Sequence, residues 1–478
     1  MRSTFFLSVL LFCGISINAM QIVKNTSSEA VIVVPEKASD SVNYAAKELQ
    51  SYLKKISGAE LEITSSISKN TDKILIYVGY NDELKSKWLD LEGLGYDGFK
   101  IVSGDRWLAI FGRDYNGSPM AGMYHPFRLV QSYSEKLKIN RFGETGTLFA
   151  VYNFLEQFCG IRWYMPGKLG EVVPTQKTLA IPEKINIKIT PDFEYRFLYS
   201  CEFCDDDESV LWYRRAGFGA PFPVNINHSF FSTFRKYQET NPEYFALIDG
   251  KRDFNITCQG HGNLCLSNPD VLKCFVKEAR EFFDKNPQQY IFPVMPNDSF
   301  VKICECPECQ KQINAKEGDT GKFSNYVWNF VNEVAKEVYK SHPDKFIACC
   351  AYGTYLNTPD RLEKLNPNVV VMICKTSPDY WNLEYKTKIN GLVERWNKKI
   401  KHGNMYCWEY YNWINYTPYL RNIPVAFPHI IAEDLKFLKG KSKGEFLEAE
   451  TWARGDKIRK AYFPGLITFP LLFQYGIW

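Results

Sequence analysis

Several features that identify common classes of protein are missing from this chain. Lys and Arg number 58 against 54 Asp and Glu, and no basic run resembles a nucleic-acid-binding arm, so no nucleic-acid partner is expected. After residue 20 no window approaches about 18 uninterrupted apolar residues, so we expect no stable membrane insertion. Gly-rich phosphate loops, paired-histidine metal motifs, Ser-His-Asp spacings, internal repeats and low-complexity segments are also absent.

Aromatic residues, in contrast, are abundant. They make up 15% of the chain, with 29 Tyr and 11 Trp, and several cluster in polar surroundings, as in YCWEYYNWINY over residues 406–416. Sugar rings stack on such side chains because these offer flat apolar area with a polar edge. An aromatic-rich barrel core is the alternative explanation.

The first twenty residues, MRSTFFLSVLLFCGISINAM, have the pattern of a secretory signal. One Arg precedes an apolar stretch over residues 5–15, and small residues follow. We predict that residues 1–20 are a signal peptide and that the mature protein is exported, to the periplasm or the cell surface of a bacterium. Lipidation at Cys13 is less favoured, because Phe12 stands where lipoprotein signals usually have a small residue.

Residues 21–188 predict a small α/β domain, in which short β-rich runs alternate with helical patterns. The loop at 113–146 has little periodicity, and loops of that length are often functional. The predicted elements are VIVV (31–34), a helix from 39 to about 56, ILIYV (74–78), a hairpin of FKIV and WLAIF, and a helix over 148–158.

Residues 189–478 predict a (β/α)8, TIM-barrel-like domain, because strand-like runs alternate with helices such as NYVWNFVNEVAKEVYKSH at 325–342. In such barrels the chemistry lies at the carboxyl ends of the strands. The eight candidate strands are residues 194–200, 219–225, 289–296, 345–352, 368–375, 404–411, 424–430 and 443–451.

Polar and aromatic side chains stand at or just after several of these strands. Two carboxylates that face a sugar are the minimal apparatus of glycoside hydrolysis, one as the acid and the other as nucleophile, base or orienting group. No cofactor is expected for catalysis. The strand-end candidates are His228, Asn297, Asp298, Tyr352, Trp408, Glu409, Tyr410, Tyr411, Glu448, Glu450 and Trp452.

Each candidate has a structural alternative. Asp298 would also cap a following turn, and His228 would also suit a buried position. Glu409 lies in a run too apolar for an ordinary solvated surface. Glu448 and Glu450 alternate with period two and share a face, which edge exposure of the strand would explain equally well.

The cysteines form one cluster of interest. Fourteen are present and the predicted signal removes one, so the odd remainder cannot all pair within the chain. Cys304, Cys306 and Cys309 lie in ICECPECQ, where three thiolates would hold a structural zinc with Cys258 or Cys265 as the fourth ligand. A disulfide with one free thiol is equally compatible with an exported protein.

Six stretches carry a resemblance to a known family. They are VIVVPEKASDSVNYAAKELQSYLKKISG, GTLFAVYNFLEQFCGIRWYMPG, NPEYFALIDGKR, CLSNPDVL, PNDSFVKICECPEC and NVVVMICK. In this order they resemble glycoside hydrolase family 163 of bacteria, long described as a domain of unknown function. The N-terminal domain also resembles the α/β sandwich domain that precedes hexosaminidase and glucuronidase barrels.

The resemblance implies an endo-β-N-acetylglucosaminidase that cuts the chitobiose core of complex N-glycans by a substrate-assisted retaining mechanism. Such an enzyme needs one acid, for which Glu409 or Glu450 are the candidates, and a group that orients the acetamide, for which we name Asp298 with Asn297. The alternatives are an exo-acting hexosaminidase or α-glucuronidase-like enzyme, and a catalytically inactive glycan-binding protein.

The end of the chain differs from that family. PLLFQYGIW follows the eighth predicted strand after one short segment, and Pro464 and Pro470 would interrupt a closing helix. We therefore expect the barrel to be truncated or diverged at its C-terminal end.

Overall fold

The structure is a computed structural model. It describes residues 19–67, 71–117, 123–125, 128–130, 133–140, 142–199, 207–224, 226–230, 235–255, 263–298, 300–400, 403–411 and 427–448. The predicted signal peptide therefore lies outside the described residues, except for Ala19 and Met20.

The N-terminal part of the chain forms a six-stranded mixed sheet. In chain order its strands are β1 (Ala30–Val33), β2 (Glu62–Thr64), β3 (Ile74–Val78), β4 (Phe99–Gly104), β5 (Trp107–Gly112) and β6 (Asn186–Ile189). Their order across the sheet is β6-β4-β5-β3-β1-β2. The pairing of β4 with β5 is antiparallel, which confirms the predicted hairpin. The division of the chain at residue 188 stays a prediction.

A second, parallel sheet of six strands follows. The strands are β7 (Tyr195–Tyr199), β8 (Ile291–Pro293), β9 (Phe346–Ala351), β10 (Val369–Lys375), β11 (Met405–Glu409) and β12 (Gly444–Glu448). Their order is β7-β12-β11-β10-β9-β8, so the first strand of this sheet in chain order pairs with its last. The sheet is thus curled into a half-barrel, and the described residues do not form the complete eight-stranded barrel that was predicted.

Two of the predicted strands are wrong, and both of these segments contain prolines. Of residues 219–225, Gly219 makes only an isolated bridge with Arg196, because Pro221 and Pro223 cannot donate to a ladder. Of residues 424–430, the last three do not form a strand: Pro428 begins a helix, a position that suits its fixed φ. The remainder of that segment lies outside the described residues.

Helices alternate with the strands along the chain. In chain order they are α1 (Asp40–Ser57), α2 (Asp82–Ser86), α3 (Gly146–Cys159), α4 (Asp207–Arg215), α5 (Pro269–Lys285), α6 (Pro307–Gln310), α7 (Ser324–Tyr339), α8 (Leu383–Lys399) and α9 (Pro428–Leu438). The helix predicted at 325–342 is confirmed as α7, whose predicted apolar face, including Val327, Val331 and Val334, is buried.

Local sequence signals account for the ends of α1. The Ser39 side chain accepts a hydrogen bond from the Val42 amide at 3.3 Å, and Gly58 ends the helix in the left-handed region with φ of 79°. Leu49 and Leu53 are buried against the sheet, as the amphipathic spacing predicts.

Short antiparallel pairs surround these sheets. Two of them lie within residues 113–146, so the segment predicted as a loop contains secondary structure. The pairs are Ala19–Lys24 with Ser27–Ser28 and Leu179–Pro182, Met123–His125 with Arg128–Val130, Tyr133–Ser134 with Ile139–Asn140, Arg162–Trp163 with Glu171–Val172, and Leu247–Ile248 with Lys251–Arg252.

A buried ion pair joins β7 to the segment that precedes β4. The Arg196 guanidinium on β7 donates to Asp97 at 2.8 Å, and both side chains are fully buried. The second Asp97 oxygen accepts from the Thr145 amide at 2.8 Å, directly before α3. Among the described helices, none is long and apolar enough to cross a membrane.

Candidate active site

Three predicted residues meet beyond the carboxyl ends of β8 and β9. The Tyr352 hydroxyl donates to Asp298 Oδ1 at 3.0 Å, and His228 Nε2 lies 3.5 Å from the same oxygen. The Asp298 side chain is 38% exposed and that of His228 20% exposed, so both are reachable from solvent. The predicted proximity of these side chains is therefore observed.

Hydrogen bonds to backbone carbonyls hold His228 in position beside Asp298. His228 Nδ1 lies 2.6 Å from the Pro296 carbonyl; since a carbonyl only accepts, Nδ1 carries the proton of this bond. Burial lowers the pKa of His228, against the opposing effects of Pro296 and Asp298. The Ser229 amide donates to the Met295 carbonyl at 3.1 Å, which ties this segment to the chain leading to Asp298. Asn297 is fully buried.

A second group of candidates lies at the ends of β11 and β12, which are three and four strands away from β8 in the sheet order. The Trp408 indole N–H donates to Glu448 Oε2 at 2.7 Å, and its ring packs at a tilt against Phe446 with 4.3 Å between ring centroids. Trp408 and Phe446 are direct partners in the ladder, so Glu448 shares their face of the sheet.

Tyr410 lies beside the second group, with 6.4 Å between its ring centroid and that of Trp408. Burial raises its pKa well above the usual value, and the nearby Cys374, Glu448 and Tyr352 act in the same direction. Tyr352 is the residue that donates to Asp298. We call the half-exposed set of Asp298, His228, Tyr352, Trp408, Tyr410 and Glu448 the mouth cluster.

Glu409 belongs to a different environment, because adjacent strand residues point to opposite faces. It is fully buried and accepts from Lys375 at 2.6 Å, from the Ser377 hydroxyl at 2.6 Å and from the Ser377 and Tyr410 amides at 2.9 Å each. Burial raises the pKa of Glu409, and the Lys375 charge opposes that rise.

Lys375 is the centre of this environment. It also donates to Asp434 of α9 and lies 3.7 Å from Glu445, which accepts from the Tyr411 hydroxyl at 2.9 and 3.1 Å. Its ammonium takes the place that a metal cation would take among these carboxylates. We call Lys375, Ser377, Glu409, Tyr411, Asp434 and Glu445 the buried network.

The sequence-based candidates are thus divided. Glu409 and Tyr411 lie in the buried network, and Glu450 and Trp452 lie outside the described residues. Lys375 and Asp434 were not predicted. A lysine within the strand pattern VVVMICK was the available signal, since an unpaired charge is too costly to bury.

Three of the predicted cysteines follow Asp298 in the chain, at residues 304, 306 and 309. Cys304, Cys306 and Cys309 are joined by Cys265, and the four sulfurs all lie within 4.8 Å of one another. The other predicted partner, Cys258, lies outside the described residues.

The sequence profile of a family described as "Domain of unknown function (DUF4838)" matches residues 165–474, the range that contains both the mouth cluster and the buried network. The chain belongs to this family. A search of curated proteins gives no match.

Solved structures similar to this DUF4838 chain have low identity. A family 115 4-O-methyl-alpha-glucuronidase is 10% identical with a TM-score of 0.48, over 95% of this chain and 56% of its own. A mutant Streptomyces plicatus beta-hexosaminidase in complex with GlcNAc is 11% identical with a TM-score of 0.49, over 95% and 87%. A family 89 glycoside hydrolase from Clostridium perfringens is 11% identical with a TM-score of 0.40, over 89% and 48%. The chain thus spans about half the length of the first and third of these proteins.

Proposed function

We propose that this chain is a glycoside hydrolase, and specifically an endo-β-N-acetylglucosaminidase that cleaves the chitobiose core of complex N-glycans. The observation that carries the proposal is the mouth cluster, in which two half-exposed carboxylates, Asp298 and Glu448, accompany aromatic side chains at the carboxyl ends of parallel strands. The resemblance to family 163 supplies the specific substrate.

The two carboxylates are given different roles. Asp298 accepts from Tyr352 and is reachable from solvent, so we assign it to hold the N–H of the substrate acetamide. Asn297, predicted as its partner, is fully buried and is assigned to support the backbone behind Asp298. The carboxyl of Glu448, oriented through Oε2 by the Trp408 indole, is assigned as the general acid through Oε1.

Glu448 replaces Glu409 as the proposed acid. Glu409 is fully buried on the opposite face and already accepts from Lys375 and Ser377. Glu450 would share the face of Glu448 if the strand pattern continued, and it stays a second candidate from the sequence.

The proposed reaction needs no cofactor. The acetamide oxygen of the substrate attacks the anomeric carbon as the bond to the leaving sugar breaks, and Glu448 gives its proton to the departing oxygen. Asp298 stabilises the positive charge that develops on the acetamide nitrogen of the oxazoline. Glu448 then removes a proton from water, which opens the oxazoline with retention at the anomeric carbon.

The aromatic members of the mouth cluster are assigned to sugar binding. Trp408 and Tyr410 lie with 6.4 Å between ring centroids, and the Tyr352 ring lies 6.0 Å from that of His228. Such rings offer stacking surface for pyranose faces. We also propose that the protein is exported to the periplasm or the cell surface, where it would encounter glycoproteins. This part of the proposal rests on the predicted signal peptide.

Mass spectrometry of a glycoprotein that bears complex N-glycans tests the function. After incubation with the purified chain, we expect peptides that carry a single N-acetylglucosamine. Loss of terminal sugars alone would replace endo action by exo action, and intact glycans with a folded protein would contradict hydrolysis.

A matched pair of variants locates the activity. Asp298→Asn should lower turnover by about 100-fold or more without change in the far-UV circular dichroism spectrum. Asp319→Asn, at a 97% exposed side chain paired with Lys322, is the control and should leave turnover unchanged.

A further inference from the structure

Four cysteine sulfurs from two separate segments converge beside the loop that follows Asp298. Cys265 precedes α5, and the other three lie at residues 304, 306 and 309, on either side of the start of α6. Cys265 Sγ lies 3.7 Å from Cys306 Sγ and 3.6 Å from Cys309 Sγ, and all four sulfurs are within 4.8 Å of one another.

These separations match a metal tetrahedron. A zinc–sulfur bond of about 2.3 Å places the corners of a tetrahedron about 3.8 Å apart, whereas two sulfurs of a disulfide are about 2.05 Å apart. The measured 3.6 and 3.7 Å agree with the first distance and are far from the second. Four ligands also complete the coordination of a structural zinc, which leaves no position for water or substrate.

The backbone around the four cysteines is arranged as in a site where thiolates bind a metal ion. The Leu247 amide donates to Cys304 Sγ at 3.3 Å, and such outer hydrogen bonds stabilise metal-bound thiolates. Cys306 stands directly before Pro307, so Cys306 and Cys309 are separated by one turn that brings both sulfurs to the same side. Cys265, Cys304 and Cys309 are buried, which closes the site to solvent.

We propose that Cys265, Cys304, Cys306 and Cys309 bind one structural zinc ion. The ion joins the start of α5 to the segment that begins six residues after Asp298. It thereby holds the loop that follows Asp298, a member of the mouth cluster. This inference stands apart from the proposed hydrolysis, because metal content is measured without any substrate.

Elemental analysis of the purified full-length chain is the first test. We expect one zinc per chain in the wild type and, in Cys309→Ser, loss of zinc with a lower melting temperature. Cys274→Ser is the matched control, since this cysteine lies on α5 outside the four-sulfur group, and it should keep the zinc.

A second measurement does not depend on whether a variant folds. A thiol-reactive mercurial added to the wild type should release one equivalent of zinc to a chromogenic chelator. Removal of zinc by a strong chelator should lower the melting temperature, and added zinc should restore it.

Two outcomes would overturn the proposal. One is a metal-free wild-type protein whose non-reduced peptides contain a disulfide between any two of the four cysteines. The other is stoichiometric iron in place of zinc in protein produced with both metals supplied.

Discussion

The Lys375 ammonium lies 2.6 Å from a Glu409 oxygen, and both side chains are fully buried. Asp434 and Glu445 complete the surroundings of the lysine. Because a buried charge is stable only with its partners, this pair fixes β10, β11, β12 and α9 relative to one another. In the proposed assignment, the carboxylate that sequence reasoning placed in the catalytic site, Glu409, therefore belongs to the framework beneath it.

Removal of this lysine charge should destabilise the protein strongly. Lys375→Met keeps most of the volume but leaves three buried carboxylates without their cation, and we expect a loss of about 3–5 kcal/mol in the free energy of unfolding. Urea denaturation measures it. Lys386→Met, which breaks an ion pair with the largely exposed Glu433, should cost only about 0–1 kcal/mol. Equal stability of Lys375→Met and wild type would refute the role of the network.

The Tyr352 hydroxyl should matter for turnover and little for folding. Hydrogen bonds to charged groups contribute about 1.5–3 kcal/mol, so Tyr352→Phe should lower kcat by about tenfold or more. Tyr355→Phe is the control, because the buried Tyr355 hydroxyl has no hydrogen-bond partner among the described residues. Steady-state kinetics of both variants decide the matter, and equal rates would remove Tyr352 from the mechanism.

Gly444 should be irreplaceable where β12 meets β7. Its φ is 147°, and a Cβ there would overlap the backbone carbonyl of Tyr195, its partner in the ladder. Gly444→Ala should lower the free energy of unfolding by more than about 4 kcal/mol. Gly440 has a φ of 75°, and a Cβ added there would have no neighbouring atom within 4 Å. Gly440→Ala should therefore lower the free energy of unfolding by only about 1–2 kcal/mol. Thermal and urea unfolding compare the two, and similar losses would contradict this close approach of the strands.

Asp114 should give the stability a pH dependence. Burial raises the pKa of Asp114 from 3.8 to about 7, although hydrogen bonds from Thr147 oppose the rise. The folded state therefore binds the proton more tightly than the unfolded state. The stabilisation is complete below about pH 4 and is lost as pH rises through 7.

The difference in unfolding free energy between wild type and Asp114→Asn isolates this effect. It should fall from pH 4 to pH 7 and level off above the folded pKa. A difference that stays constant over this range would show that the carboxyl keeps an ordinary pKa.

The sequence predicted the parallel strands best where apolar runs were continuous. KFIACCAY and NVVVMICK became β9 and β10, because strands buried on both faces need apolar residues at every position. The strands predicted at 219–225 and 424–430 contained prolines, whose missing N–H and fixed φ outweighed the β propensity of their neighbours. Pro428 was in fact a helix start signal.

The site was predictable in part for a related reason. Strand ends of a parallel sheet share one edge, which correctly brought Asp298 and Tyr352 together; His228 was placed with them from a strand at 219–225 that the structure does not contain. The period of two was not applied within YCWEYY, although Trp408 and Glu409 cannot both face the same side. Asp434 was out of reach, since only the tertiary position of α9 brings it to Lys375.

The most direct test of the proposed division between the mouth cluster and the buried network compares Glu448→Gln with Glu409→Gln. Turnover of a complex N-glycopeptide and the melting temperature are measured for each. Glu448→Gln should lose about 100-fold or more in kcat at an unchanged melting temperature, because it removes the acid. Glu409→Gln should lower the melting temperature while the folded fraction keeps its turnover. Wild-type turnover in Glu448→Gln, or lost turnover with full stability in Glu409→Gln, would contradict the assignment.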